Sequence, residues 1–297
     1  MKEKILLTGS SGFLGNHIHD FLKTKNYEVI TLGRSENSDI KVDLSINTFD
    51  KINVNYVIHA AGKAHLKPKT EEEKKEFFNV NEVGTNNLLN GLEITKLKSI
   101  IFISTVAVYG KEEGELIDEE SPLLGETPYA LSKIKAEQAI IDFGITKNIK
   151  TVVLRLPLVT GKKPIGNLGA LVKAINKGYY FRIGSGQAKK SIISAYDVAD
   201  IVPELFELNG IYNLTDINNP TISEIDSFIA KKLNKKIKTI PIVLIKLLAK
   251  IGDILHFFPL NSLKVEKLTE NLTFSNKKIL CDIKFKPSNG LSDILKS

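Results

Sequence analysis

Short aliphatic and β-branched runs alternate with longer stretches of helical spacing through the first half of the chain. Strands are predicted over Lys4–Thr8, Tyr27–Leu32, Tyr56–His59, Ser99–Ser104 and Thr151–Leu154, and helices over Gly12–Lys23, Glu71–Leu92 and Pro128–Asp142. Such alternation builds βαβ units, so the expected fold class is α/β with a doubly wound parallel sheet. The charged run from Glu71 to Glu76 reads as an exposed helix face and nothing more. From about Pro157 the pattern breaks into loops punctuated by glycine and proline, with short helices between. Residues 1–156 are therefore expected to form a first domain and 157–297 a smaller α/β region, partly interleaved with it. Residues 240–258 are apolar, but Lys246, Lys250 and Asp253 interrupt them at helical spacing and Pro241 and Pro259 bracket them. They read as an amphipathic packing helix, with attachment to a membrane interface as the alternative.

Composition narrows the class. Of 297 residues 42% are hydrophobic and 25% charged, a globular balance that excludes disorder and collagen-like order. Cys281 is the single cysteine, so no internal disulfide forms, and it has no metal-ligand cluster to join; no metal site is expected. The apolar run Ile5-Leu6-Leu7 is too short for a signal-peptide core, and no stretch of about 18 uninterrupted apolar residues exists. A cytoplasmic protein without a transmembrane segment is the expectation.

The net charge of +7 is unevenly placed. From Lys231 onward there are 14 basic and 5 acidic residues, against 27 and 29 before it. No basic stripe interleaved with aromatic platforms is evident, so nucleic acid is not an expected partner. The excess reads as a solvated lysine surface, or as an attraction for an anionic substrate or membrane surface. Arginine occurs only as Arg34, Arg155 and Arg182.

Three groups of residues carry chemistry. Thr8-Gly9-Ser10-Ser11-Gly12-Phe13-Leu14-Gly15 lies between the first predicted strand and the first helix. A diphosphate needs backbone N–H groups at a helix N-terminus and no side chain blocking close approach, which glycines at these spacings provide. Gly9, Ser11, Gly12, Phe13, Leu14 and Gly15 are thus expected to bind a dinucleotide. The second strand ends in Leu32-Gly33-Arg34, where a carboxylate would favour a ribose 2′-hydroxyl and an arginine favours a 2′-phosphate. Arg34 therefore points to NADP(H), with NAD(H) possible if it only stacks on adenine. Tyr129 and Lys133 stand four apart on a predicted helix and share one face. The lysine, together with the positive nicotinamide of an oxidised cofactor, is expected to lower the phenol pKa and make Tyr129 an acid/base. Ser104-Thr105 ends the preceding strand with a hydroxyl for the substrate oxygen.

Together these residues resemble the extended short-chain dehydrogenase/reductase family, the NAD(P)-dependent nucleotide-sugar epimerases, dehydratases and ketoreductases. The likeness continues through Asp43-Leu44, His59-Ala60-Ala61-Gly62, Asn81-Glu82-Val83-Gly84-Thr85 and Ser104-Thr105-Val106-Ala107-Val108-Tyr109-Gly110. It implies a Rossmann-type NAD(P)-binding domain followed by a substrate-binding region. It implies that Asp43 and Leu44 flank the adenine, that Ala60, Ala61, Gly62 and Pro157 line the cofactor cleft, and that Thr105, Tyr129 and Lys133 are catalytic. The segments His59 to His65 and Arg155 to Gly161, with Gly166-Asn167-Leu168, are similar to bacterial UDP-sugar 4-ketoreductases of polysaccharide synthesis. On that likeness Asn167 and Lys190 are candidate substrate contacts with Thr105, His65 is a possible one, and Arg155 is either a ligand contact or a strut.

The implied substrate is a nucleotide-diphosphate sugar of UDP-N-acetylhexosamine type, reduced at C4 by a 4-ketoreductase. The alternative is a 4-epimerase that retains NAD; a more distant one is a non-catalytic cofactor-sensing protein. Val106-Ala107-Val108 stands where 4,6-dehydratases carry a carboxylate pair, which argues against that branch. Thr160, Lys190 and Leu158 replace a frequent tyrosine, arginine and asparagine, leaving the sugar open. Relatives of this kind pair through the helices matching Glu71–Leu92 and Pro128–Asp142, so a homodimer is expected.

Overall fold

The computed structural model describes residues 2–64, 68–254, 265 and 269–296. Among these, seven strands form one sheet: β1 (Glu3–Thr8), β2 (Tyr27–Gly33), β3 (Ile40–Lys41), β4 (Tyr56–His59), β5 (Ser99–Thr105), β6 (Lys150–Leu156) and β7 (Gly210–Asn213). All neighbours are parallel and the spatial order is β3-β2-β1-β4-β5-β6-β7. This is a Rossmann-type sheet. Its strand order reverses between β1 and β4, and open α/β sheets take their ligands in the crevice beyond the carboxyl ends at that point.

The helices that bear on the site are α1 (Phe13–Lys23), α2 (Glu71–Phe78), α3 (Gly84–Asn90), α4 (Pro128–Lys147), α5 (Gly166–Lys177), α6 (Ala195–Leu205), α7 (Ile222–Lys232) and α8 (Ile242–Ile254). Alternation along the strands decides which helix covers which face. Ile5, Leu7, Ile101, Val152 and Leu154 pack with Ile18 and Leu22 of α1 and Val198 and Val202 of α6. Their neighbours Leu6, Ile100, Phe102 and Val153 point the other way, onto Leu88 of α3 and Ala136 and Ile140 of α4. Each such side chain contributes about 1.5–3 kcal/mol when fully buried, and a one-residue slip would turn them all to the wrong face.

The continuous helix expected over Glu71–Leu92 is divided. A wide π-type turn, Asn79–Val83, separates α2 from α3, and Leu92 lies in a two-residue strand paired with Ile52–Asn53. The acidic run opening α2 does more than face solvent. Glu73 closes a reciprocal cap with Thr70, and Glu76 reaches the Lys63 ammonium.

Residues beyond 157 divide between two places. α6 packs on α1, and β7 joins the sheet beside β6. The remainder builds a smaller unit from short parallel strand pairs and α5, α7 and α8, around Leu168, Ile175, Ile192, Ile225 and Ile229. Of the apolar stretch 240–258, residues 255–258 lie outside the described residues. Within α8, Ile245 and Ala249 are buried, whereas Val243, Leu244 and Leu247 are exposed. No helix among the described residues is long and apolar enough to cross a membrane.

Candidate active site

The glycine loop joins β1 to α1 at the switch point. Gly9 has φ of 73°, and a Cβ there would lie 2.6 Å from the Ala61 nitrogen. A Cβ on Gly15 would sit 2.0 Å from the Gly9 carbonyl oxygen. Neither position admits another residue without moving backbone. Gly12 begins α1 with no side-chain cap, so no side-chain oxygen takes the first N–H groups of the helix. Phe13 abuts Gly161, linking the loop to the segment after β6.

A polar column fixes the loop against the neighbouring strand. The Ala61 N–H donates to Thr8 Oγ1 at 3.1 Å, and Thr8 faces His59 Nδ1 at 2.7 Å. His59 Nε2 lies 3.0 Å from Thr85 Oγ1, whose proton goes to the Asn81 carbonyl. This chain of donors is satisfied by a neutral His59 with its proton on Nε2. Burial agrees, pushing the imidazole down to about 3. Ala60, Ala61 and Gly62 thereby line the crevice beside Gly9.

At the far end of β2, Arg34 is well exposed, with 71% of its side chain accessible. Its Nη1 lies 3.9 Å from Asp43 Oδ2, and the hydroxyl of Ser45 holds that carboxyl below its usual range. Leu44 is buried, and its carbonyl accepts from Asn87 Nδ2 at 2.8 Å. Arg34, Asp43 and Leu44, the residues expected at the adenosine, thus stand together beyond the end of β2.

The opposite end is assembled from β5 and α4. Thr105 is the last residue of β5, and Tyr129 sits in the first turn of α4, whose start is fixed by Thr127 accepting from the Ala130 N–H. Thr105 hydrogen-bonds the Tyr129 phenol, opposing the larger effect of burial, and the phenol stands above its ordinary value. One turn on, Lys133 is buried, donates to the Ile103 carbonyl at 2.7 Å and lies 4.2 Å from the centre of the Phe102 ring. Burial brings its ammonium down to about 8, with Glu137 acting the other way. In the protein alone burial sets the direction for the phenol, and the Lys133 ammonium rests on a backbone carbonyl.

Asn81, quoted in the sequence without a role, is central here. The π-type turn Asn79–Val83 places it inward, where Oδ1 accepts from the Lys63 N–H at 2.8 Å and Nδ2 donates to the Lys63 carbonyl and Ser132 Oγ. A Cβ on Gly62 would meet Asn81 Oδ1 at 3.1 Å and Lys133 Nζ at 3.4 Å, so Gly62, Asn81 and Lys133 converge. Lys63 pairs with Glu76 and lies 5.5 Å from the centre of Phe77, whose ring is 6.2 Å from that of Tyr129.

Arg155 is a strut. It is buried, its Nη2 meets Glu137 Oε2 at 2.7 Å, and its Nη1 donates to the Tyr109 hydroxyl at 3.1 Å. Glu137 also accepts from Ser104, and Tyr109 donates to Asn213 on β7. Glu137 and Asn81 escaped sequence reasoning as site residues. Glu137 stands four after Lys133 and was visible as spacing alone, but its burial was not.

The remaining described candidates come from the segments after β6. Pro157 follows β6 half-buried. Asn167 is exposed in the first turn of α5, and Lys190 donates to the Glu270 carbonyl at 2.9 Å. No described hydrogen bond joins either to Thr105, Tyr129 or Lys133. His65 lies outside the described residues. A cavity of about 780 Å³ opens between α1 and α6 beside Ser11, Gly12 and Phe13, and none of Thr105, Tyr129 and Lys133 lines it.

Residues 5–214 match the NAD dependent epimerase/dehydratase family. The chain belongs to that family. It is an enzyme of the extended short-chain dehydrogenase/reductase type. A UDP-glucose 4-epimerase of Vibrio cholerae is 27% identical over 265 residues, covering 82% of this chain and 79% of that protein. The N-acetyl-alpha-D-glucosaminyl-diphospho-ditrans,octacis-undecaprenol 4-epimerase of Escherichia coli O157:H7 is 27% identical over 259 residues, covering 80% and 74%. The fold is shared with the Thermus thermophilus UDP-glucose 4-epimerase in complex with NAD, at 22% identity, TM-score 0.73 and coverage of 98% and 97%. It is shared equally with RMD of Pseudomonas aeruginosa complexed with NADPH, at 20% identity, TM-score 0.72 and coverage of 99% and 98%.

Proposed function

We propose that the protein is a 4-ketoreductase of a nucleotide-diphosphate-linked 6-deoxy-N-acetylhexosamine and draws its hydride from NADPH. The observation that carries this reading is the placement of Tyr129 in the first turn of α4, one turn before the buried Lys133, with Thr105 at the end of β5. Burial keeps the phenol above its ordinary value, so at neutral pH it carries the proton that a carbonyl oxygen must receive on reduction. In the proposed reaction Thr105 donates a hydrogen bond to the sugar O4 and Tyr129 delivers its proton there. The charged Lys133 stabilises the phenolate left behind. Gly9 and Gly15, with the uncapped start of α1, fit a dinucleotide diphosphate, and Arg34 fits a ribose 2′-phosphate. The reduced nicotinamide, when bound, supplies the hydride; the protein supplies position and proton. Asn167 and Lys190 are assigned to the nucleotide diphosphate.

A second reading is a 4-epimerase that keeps its NAD, favoured by the Vibrio cholerae relative. A purely cofactor-sensing protein is disfavoured by Tyr129 and Lys133 standing together. The test uses purified protein, NADPH and UDP-4-keto-6-deoxy-N-acetylhexosamine, with UDP-N-acetylglucosamine in a parallel tube. Stoichiometric loss of NADPH with a reduced sugar supports the ketoreductase. Interconversion of gluco and galacto isomers without net cofactor change supports the epimerase and reduces Arg34 to an adenine contact.

A further inference from the structure

We propose that the exposed face of α8, with the lysine run leading into it, docks on a membrane surface bearing anionic headgroups. From Lys231 to Lys250 the chain holds seven lysines and neither aspartate nor glutamate, and all seven lysines are exposed. α8 has three sectors. Ile245 and Ala249 pack inward on Ile183, Ile240 and Ile242. On its outer side Val243 is 77% exposed, Leu244 49% and Leu247 60%. At 3.6 residues per turn Val243 and Leu247 stand one above the other, and Lys246 and Lys250 run along one edge of that stripe. A surface helix ordinarily turns polar residues outward; this one turns aliphatic residues outward beside lysines. The strand Phe181–Ile183 pairs in register with Lys238–Ile240 just before α8, leaving Phe181 exposed opposite Lys238.

The combination selects the partner. A nucleic-acid backbone would satisfy the lysines and give the aliphatic stripe nothing. A second copy of the chain would cover the stripe but bring two sets of seven like charges together. A bilayer takes both: aliphatic side chains enter the headgroup–acyl boundary while lysines stay among the anionic headgroups. Neither signal alone holds a protein at a membrane, whereas an apolar insertion with a polybasic patch does. This inference is independent of the proposed reaction, because α8 carries none of the residues assigned to chemistry.

The experiment is co-sedimentation of the full chain with vesicles of phosphatidylglycerol and phosphatidylcholine in equal parts, against vesicles of phosphatidylcholine alone. The expected result is binding to the anionic vesicles at least ten-fold tighter than to the neutral ones, weakening with salt. The pair Lys246→Gln and Lys250→Gln should lower affinity by roughly five-fold per lysine. The pair Val243→Ser and Leu247→Ser should lower it by about ten-fold or more. Both variants should unfold at the wild-type temperature and keep wild-type turnover on soluble substrate. The proposal is overturned if wild-type protein stays in the supernatant with anionic vesicles, or sediments equally with both kinds. It is equally overturned if the serine variant binds like wild type, or if light scattering shows that Val243 and Leu247 instead hold two copies together.

Discussion

The two ends of the cofactor crevice are built on opposite plans. At the reaction end, three buried polar groups are tied down: Lys133 to the Ile103 carbonyl, Asn81 to Lys63 and Ser132, and Glu137 to Ser104 and Arg155. At the adenosine end, Arg34 stands in solvent, 3.9 Å from a half-exposed Asp43. The first arrangement fixes geometry to fractions of an ångström and resists substitution. The second is an exposed ion pair of the kind worth about 0–1 kcal/mol to the fold, so it is free to be altered by selection. On the proposed function, chemistry is held rigid while cofactor choice is left adjustable.

That contrast ranks the expected effects of substitution. Tyr129→Phe removes the proton donor and should lower turnover about 10²–10⁴-fold with cofactor affinity retained, read from single-turnover rates and a fluorescence titration. Surviving turnover would move the acid elsewhere. Glu137→Leu leaves Arg155 buried without its partner and should destabilise the fold by about 3–5 kcal/mol in urea unfolding. Pairing it with Arg155→Met should recover most of that loss, because two apolar residues leave no uncompensated charge. If Glu137→Leu unfolds like wild type, the reaction end is not the rigid half.

A third effect is a pH dependence. Lys133 titrates at about 8, below its ordinary value, because it is buried. The charged form that supports Tyr129 is full below that pH and lost above it, so the reductive rate should be flat on the acid side and fall through about 8. Lys133→Met should abolish the step. The sign for stability runs the other way. Between about 8 and the ordinary lysine range the unfolded chain binds the proton that the folded chain releases, so this residue makes the fold more stable as pH rises there. The smallest effect belongs to the adenosine end. Arg34→Ala should leave the melting temperature unchanged and lower the preference for NADPH over NADH by about ten-fold, the loss of a single charge-assisted contact. An unchanged preference would place cofactor selection on another residue.

The same contrast explains what the sequence disclosed. The glycine loop, Arg34 and the Tyr129–Lys133 spacing are local patterns, and local geometry alone brings each to its place. The parallel sheet was legible because its central strands are long aliphatic runs. The four-residue β7 was not, since its pairing depends on a neighbour far along the chain. Asn81 was quoted, but its role rests on a π-type turn within a segment whose pattern reads as ordinary helix. The Arg155–Glu137 pair links two elements whose burial no periodicity announces. Spacing likewise puts Tyr129 and Lys133 on one face but does not give the depth at which they lie.

The most direct test of the central claim follows the label. NADPH carrying deuterium at the transferable position would be incubated with the nucleotide 4-keto sugar, and the product examined by mass spectrometry and proton NMR. A 4-ketoreductase places deuterium on sugar C4 and releases one equivalent of oxidised cofactor for each sugar reduced. A 4-keto sugar left unreduced with the NADPH unspent would contradict it, and interconversion of the 4-hydroxy epimers of UDP-N-acetylglucosamine without deuterium uptake in a parallel tube would establish hydride return from a retained NAD.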